Sequence, residues 1–411
     1  ALKIALELIR CGRARVVLAG GADALCRMTY YGFHALQLID PEGARPLDRD
    51  RRGLSVAEGA AFVLLVAAPS PPAEALAELA GAGLSCDAHH PAAPHPEGAG
   101  ALAAMRSALA DAGLTAAGID YINLHGTGTI DNDLAEARAV RALCGGNPPA
   151  VSSVKGLFGH TLGASGAVEA VVSAFAIARG FVPANVGCRV PDPALGLAPE
   201  RDGQDRPVRS VLSNSFGFGG NNASLVLTAP RPAGTPAPPR PPVRFSVLGC
   251  SCLTGVGALD ETAARFARGA SFAGRPDLAA VRTDVSGGGL RRLKRLSRMT
   301  LLLALAVRHG APEADAPGAI FFGTAWGSLT DTHDFLDKLF SSDERFTSPT
   351  DFIGSVHNAP ASHAAIFFRA VGPNVVVSGG DQSFEQALYA ASLVLREGDP
   401  PALVKIGRAH V

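Results

Sequence analysis

A chain of 411 residues, 47% hydrophobic and 18% charged, is long enough for two or three domains and too apolar to remain disordered. Its 37 basic residues balance 37 acidic ones, which excludes a strongly basic nucleic-acid surface and an acidic tail. No uninterrupted apolar run reaches the length of about eighteen residues that a membrane span needs, and the seven scattered cysteines point to reduced thiols in a cytoplasmic enzyme, not to a disulfide framework.

In chain order, Ala1 falls inside a helical run, ALKIALELIRCG, with no capping residue ahead of it, so the chain is expected to be a piece of a longer one. RVVLAG (Arg15 to Gly20) and GAAFVLLV (Gly59 to Val66) read as strands; between them come GADAL, MTYYGFHALQLI and a polar loop, ARPLDRDRRGLSVAEGA. ALAAMRSALADAGL forms a helix ahead of the strand YINLH, which ends at His125. From Asp131 a further helix opens with acidic residues in its first turn, where they suit the helix dipole.

Val151 to Val154 reads as the next strand, and AVEAVVSAFAIA, entered through Gly163 and Gly166, as a buried helix. Lys155 and His160 then fall on the connecting loop, at the carboxyl end of a strand where functional side chains of open α/β sheets gather. Alone, this stretch reads equally as a glycine-rich turn with a surface lysine and a satisfied histidine. VRSVLSNSFGFGGNNASLVLTA reads as two strands about a glycine turn. Alternating strands and helices of these lengths predict a layered α/β fold.

Ala229 to Pro242, APRPAGTPAPPRPP, reads as an extended linker and the clearest boundary in the chain. Beyond it, RFSVLGCSCL reads as a strand, LRRLKRLSRMTLLLALAVRHG as an amphipathic helix with a basic face, AIFFGTAWG and PNVVVSGG as strands, and FEQALYAASLVLREG as a helix. Cys250 and Cys252 are too close to suggest a metal pair. Lys405 to Val411 contains IGRAHV, which resembles a translated sequencing-library adapter, and is read as an artefact outside the fold.

Three motifs, HGTGTIDNDLAE (His125 to Glu136), SVKGLFGH (Ser153 to His160) and NSFGFGGNN (Asn214 to Asn222), together resemble the β-ketoacyl synthases of fatty-acid and polyketide synthesis. The loop ARPLDRDRRGLSVAEGA is similar too, with Ala57 in place of a glycine and Leu47 in place of an aromatic residue. The resemblance implies a thiolase-like layered αβαβα fold, incomplete here at both ends, whose two halves are each built on a five-stranded sheet, normally in a dimer.

It implies decarboxylative condensation of malonyl-acyl carrier protein with an acyl thioester. His125 and His160 would be a neutral pair donating N–H groups to the thioester oxygen, with Lys155 and Glu136 as supports. Phe218 would gate the acyl pocket and Phe33 line it. No cofactor and no metal are implied; the expected partners are acyl carrier protein, malonyl and acyl thioesters, and either a second copy or a chain-length factor, with no nucleic acid and no membrane.

The family's nucleophile is a cysteine at the start of a helix, and ALKIALELI looks like the remainder of that helix, so the cysteine is expected just before Ala1. Cys11 sits at the wrong end of the helix, and Cys26 does not replace the missing residue. Residues Ser355 to Leu388 resemble the approach to the nucleophile in a second ketosynthase-type unit of the chain-length-factor kind, with Asp381 at the cysteine's position. The expected organisation is a ketosynthase portion over 1–228, a linker over 229–242, and the amino-terminal portion of a chain-length-factor-like domain over 243–404. A non-catalytic partner remains as an alternative on the strength of Asp381, and a thiolase as a lesser one, since GFGGNN lacks that family's second cysteine. His34, His89, His90 and His95 gain nothing from the motifs and are expected on surfaces or loops.

Overall fold

The computed structural model describes residues 1–67, 74–231, 243–269, 274–281, 290, 293–312, 315–345 and 347–407. The chain divides into two units, Ala1–Pro242 with Leu336–Pro349, and Val243–Phe335 with Thr350–Val411. The expected linker lies largely outside the described residues, which resume at Val243.

The first unit opens with α1 (Leu2–Arg10), β1 (Val16–Asp23), α2 (Arg27–Ala35), β2 (Gly59–Val66), β3 (Glu78–Cys86) and α3 (Ala99–Ala112). It continues through β4 (Tyr121–Asn123), α4 (Ile130–Cys144), β5 (Ala150–Ser152), α5 (Lys155–Phe158) and α6 (Ser165–Arg179). A short pair, β6 (Phe181–Val182) and β7 (Gln204–Asp205), precedes the hairpin of β8 (Ser210–Gly217) and β9 (Asn221–Thr228). Five of these strands form one sheet in the order β3-β9-β8-β4-β5. The hairpin pairings are antiparallel, whereas β4 runs parallel to both β8 and β5.

Strand alternation divides the side chains of this sheet between two apolar layers. Ile122, Leu124, Val151, Leu212 and Val226 meet Met105 of α3 and Val140 of α4 on one face. Tyr121, Val211 and Leu227 meet Ala174 and Ile177 of α6 on the other. A second, antiparallel sheet of β1 and β2 lies beyond α6 and α1, with Leu2, Ala5, Ala19 and Ala170 between. The order is therefore helices, sheet, helices, sheet, as the sequence predicts for a layered α/β fold. Leu162–Arg179 has the length and apolarity of a membrane-crossing helix, yet it carries the buried Glu169 and Ser173 and packs in this middle layer.

The glycine turn between β8 and β9 is obligatory at Gly220. Its φ of +75° is one that side-chain-bearing residues rarely adopt, and a Cβ there would meet Asp87 at 2.8 Å. One expectation fails locally: Lys155 starts the single helical turn α5 and does not lie on an open loop.

The second unit contains α7 (Leu259–Ala267), α8 (Arg295–Gly310), β10 (Ala319–Thr324), α9 (Leu329–Ser341), α10 (Pro349–Ser355), α11 (Ala359–Phe368), β11 (Asn374–Ser378), α12 (Ser383–Val394) and β12 (Ala402–Gly407). Helix α9 runs past Phe335, where the division of the chain falls. The strands form a parallel sheet, β11-β10-β12. Ladder bonds carry β12 through Gly407, past the boundary expected at residue 404, and residues 408–411 lie outside the described ones. RFSVLGCSCL is not a strand: 243–254 is irregular, with Val247 84% exposed. An apolar run becomes a strand only by pairing, and no partner lies beside this one among the described residues.

Candidate active site

His125 leaves the end of β4, where Leu124 N still donates to Ser152 O at 2.9 Å. The helix that follows turns its own carboxylates back on this loop. Glu136, a turn and a half into α4, accepts from His125 N and Gly126 N, both at 2.8 Å. Asp133 accepts from Gly128 N at 3.2 Å and Leu47 N at 2.9 Å, and pairs with Arg51 at 3.6 Å. Leu47, standing where the family resemblance calls for an aromatic residue, is buried in the same core as Ile122 and Leu124.

His160 is held by its backbone. Its N–H donates to Ser55 O at 2.7 Å and its carbonyl accepts from Ala57 N at 3.0 Å, a parallel bridge to the polar loop. The two rings lie 5.3 Å apart, centre to centre, and nearly perpendicular at 83°.

Lys155 joins the parts. Only 2% exposed, it donates through Nζ to His125 O at 2.6 Å, stands 3.3 Å from His125 Nδ1, and forms an ion pair with Glu169 of α6. An ammonium only donates, so His125 Nδ1 accepts and the ring carries its proton on Nε2. The same argument fixes His160, whose Nδ1 accepts from Leu162 N at 3.1 Å. Each imidazole thus keeps one N–H free of these fixed donors.

Burial holds both rings neutral. It drives the His125 pKa well below its ordinary value, helped by the Lys155 charge and then by His160. His160 falls to about 3 for the same first cause, with Lys155 adding to it. The Glu136 carboxyl is pushed up to about 7 by burial against the opposing pull of its N–H donors. Glu169 is also raised by burial, with Lys155 opposing. Among the described residues, no cluster of three or more histidine, cysteine or acidic side chains is arranged to hold a metal ion.

Two neutral imidazoles, His125 buried and His160 half-buried, each able to donate from Nε2 beside a lysine–glutamate pair, can meet negative charge on a substrate oxygen. Models of the β-ketoacyl synthase match the chain in three stretches: its N-terminal domain over 1–69, its C-terminal domain over 76–189, and its N-terminal domain again over 289–407. The chain belongs to the β-ketoacyl synthase family. Nodulation protein E of Rhizobium sp. (strain N33) is 43% identical over 234 residues, covering 55% of this chain and 58% of that protein. The 3-oxoacyl-[acyl-carrier-protein] synthase 2 of Rhizobium meliloti (strain 1021) is 43% identical over 238 residues, covering 54% and 56%. The solved ishigamide ketosynthase/chain length factor is 38% identical with a TM-score of 0.52, over 56% of this chain and 57% of that one. The fold is thiolase-like, and the chain spans a little over half the length of the curated relatives it matches.

Within this ketosynthase fold, His125, His160, Lys155 and Glu136 come together as described. Phe33 of α2 and Phe218 of the glycine turn also meet, their rings 5.5 Å apart. Asp381 lies in the second unit, exposed, in the turn Gly380–Gln382 between β11 and α12. Cys11 closes the far end of α1, and Cys26 caps the start of α2 with Sγ 3.1 Å from Thr29 Oγ1. His34, His89 and His90 are exposed and His95 is half-buried. Sequence reasoning missed Glu169, the carboxylate that Lys155 meets. Its signal was the lone acid in AVEAVVSAFAIA, since a charge on a buried helix requires a cation.

Proposed function

We propose that this chain is part of a β-ketoacyl-[acyl-carrier-protein] synthase of fatty-acid or polyketide type, an acyltransferase that condenses malonyl-acyl carrier protein with an acyl thioester. The observation that carries the reading is the pair of neutral imidazoles, each with Nδ1 taken by a fixed donor and Nε2–H left to donate. In this reaction the bond to the malonyl carboxylate breaks, CO2 leaves, and the electron pair enters the thioester as an enolate. Donors aimed at the enolate oxygen are worth about 2.7–4 kcal/mol each in comparable sites. The enolate carbon then attacks the acyl thioester carbonyl and expels the cysteine thiolate as the new carbon–carbon bond closes.

His125 and His160 take the oxyanion role, Lys155 and Glu136 position them, and Phe218 and Phe33 border the acyl pocket. The nucleophilic cysteine belongs ahead of α1. Residues 1–228 form the ketosynthase portion and the unit from 243 onward a chain-length-factor-like portion, in which Asp381 offers no sulfur for an acyl thioester. Acyl carrier protein is the carrier, the working assembly is a homodimer or a ketosynthase/chain-length-factor pair, and the compartment is the cytoplasm.

Decarboxylation needs stabilisation of the enolate but no nucleophile, so it can be tested on this chain. Incubated with labelled malonyl-acyl carrier protein, the chain is expected to release labelled CO2, and His125→Ala to lower the rate by about 10²-fold. It is expected to accept no labelled acyl chain; transfer blocked by a thiol reagent would show that one of its own cysteines serves. No CO2 from folded protein favours the non-catalytic partner, for which Asp381 speaks.

A further inference from the structure

Two buried carboxylates reach His125 by different routes, Glu136 through the backbone N–H groups of His125 and Gly126, and Glu169 through Lys155. They lie on opposite faces of the five-stranded sheet, on α4 and α6. Each also meets one of two consecutive residues at the end of β8. Asn214 Nδ2 donates to Glu136 Oε1 at 3.1 Å, and Ser215 Oγ donates to Glu169 Oε2 at 3.4 Å.

Alternation along a strand is what lets neighbouring residues serve both faces. The amide of Asn214, fully buried, is oriented by Ser224 Oγ, which donates to its Oδ1 at 2.8 Å from the paired strand β9. Ser215 comes close to α6 because residue 166 is glycine: a Cβ there would stand 2.9 Å from Ser215 Oγ. The same strand ends at Gly217, and Phe218, three residues beyond Ser215, opens the turn that follows.

We propose that Asn214 and Ser215 are positioning residues for His125, holding from opposite faces the two carboxylates that fix it and tying it to the hairpin that carries Phe218. The inference rests on the oxyanion role given to His125 above, but its test does not require turnover. A displacement of the hairpin moves both carboxylate partners together, so His125 and the glycine turn behave as one rigid piece. His160 stands outside this device, because its Nδ1 is held by Leu162 N and its backbone by Ser55 and Ala57.

The test uses the whole chain labelled with ¹⁵N-histidine, with ring signals of His125 and His160 assigned by single replacement. In the parent, both rings are expected as the Nε2–H tautomer. Ser215→Ala is expected to raise the minor Nδ1–H form of His125 about fivefold, the effect of one lost hydrogen bond, while His160 stays put. Ser215→Thr, which keeps the hydroxyl, restores the parent signals. In a second arm, Ser224→Ala frees the Asn214 amide, and hydrogen exchange at His125 N and Gly126 N is expected to quicken about fivefold. The proposal is overturned if His125 in folded Ser215→Ala matches the parent, if His160 shifts as much as His125, or if exchange in Ser224→Ala is unchanged. Failure to release CO2 with the ring signals behaving as expected would sink the functional reading and leave the positioning intact.

Discussion

Two strand-to-helix connections in this chain are built on opposite principles. The one from β5 to α6 places Lys155 and Glu169 in the interior at 2% and 1% exposure, with Lys155 Nζ held by His125 and Glu169. The one from β11 to α12 leaves Asp381 in solvent and buries only the neutral Ser383, whose Oγ accepts from Gly379 N at 3.1 Å and donates to Thr324 O at 2.8 Å. Burying an ion pair costs solvation that the fold must recover through geometry, whereas a hydroxyl can fasten a turn at little cost. Charge is buried in the connection that carries the candidate histidine site, and only a hydroxyl is buried in the one that carries Asp381.

The contrast can be broken most severely at Lys155. Lys155→Ala leaves Glu169 buried without its cation and is expected to destabilise the first unit by about 3–5 kcal/mol, read by calorimetry. Next comes Glu136→Gln, which faces two N–H donors with one carbonyl and one amide; an expected loss of about 1–3 kcal/mol would appear in the same measurement.

That variant also has a pH signature. The Glu136 pKa is raised to about 7 in the fold, so its contribution is complete below the carboxyl's ordinary 4.5 and is lost as pH rises towards 7. The histidines act in the other sense: their pKa values are depressed, so their contribution is complete above 6.5 and is lost as pH falls, for His160 towards about 3. Between 4.5 and 6.5 the two effects oppose one another. Removing the carboxyl is expected to steepen the rise of stability with pH in that window by up to about 1.4 kcal/mol per pH unit. A parallel shift of the whole profile would contradict the raised pKa.

The smaller effects belong to the second unit, where Trp326, the chain's single tryptophan, reports unfolding by fluorescence. Ser383→Ala is expected to cost about 1 kcal/mol there. Asp381→Ala should fall within about 0.5 kcal/mol of the parent, as exposed positions do. A larger loss would mean that the exposed Asp381 matters to its fold as the buried Lys155 does, and the contrast would fail.

Much of this was legible in the sequence where residue type and spacing act together. HGTG before an acid-led helix, KGLFGH after a strand and GFGG between two strands each name a local geometry, and the structure brings His125, His160, Lys155 and Glu136 together. What stayed hidden was pairing across distance. Glu169 looked like one polar residue in an apolar helix, and the two carboxylates meeting Asn214 and Ser215 are not marked by any local pattern. The false strand at 243–254 fails for the same reason from the other side, because an apolar run does not say what it will pair with.

Strand β8 has one partner close along the chain and one remote. It joins β9 through a turn of three residues, Phe218–Gly220, but reaches β4 across 90 residues, the separation of Asn123 from Ser213. Contacts close in sequence close quickly and long loops close slowly. The hairpin can therefore form early and wait, and the histidine site is completed only when β4 arrives beside it. Refolding followed at the glycine turn should run ahead of refolding followed at His125, so the histidine pair is completed among the last of the native contacts of its unit.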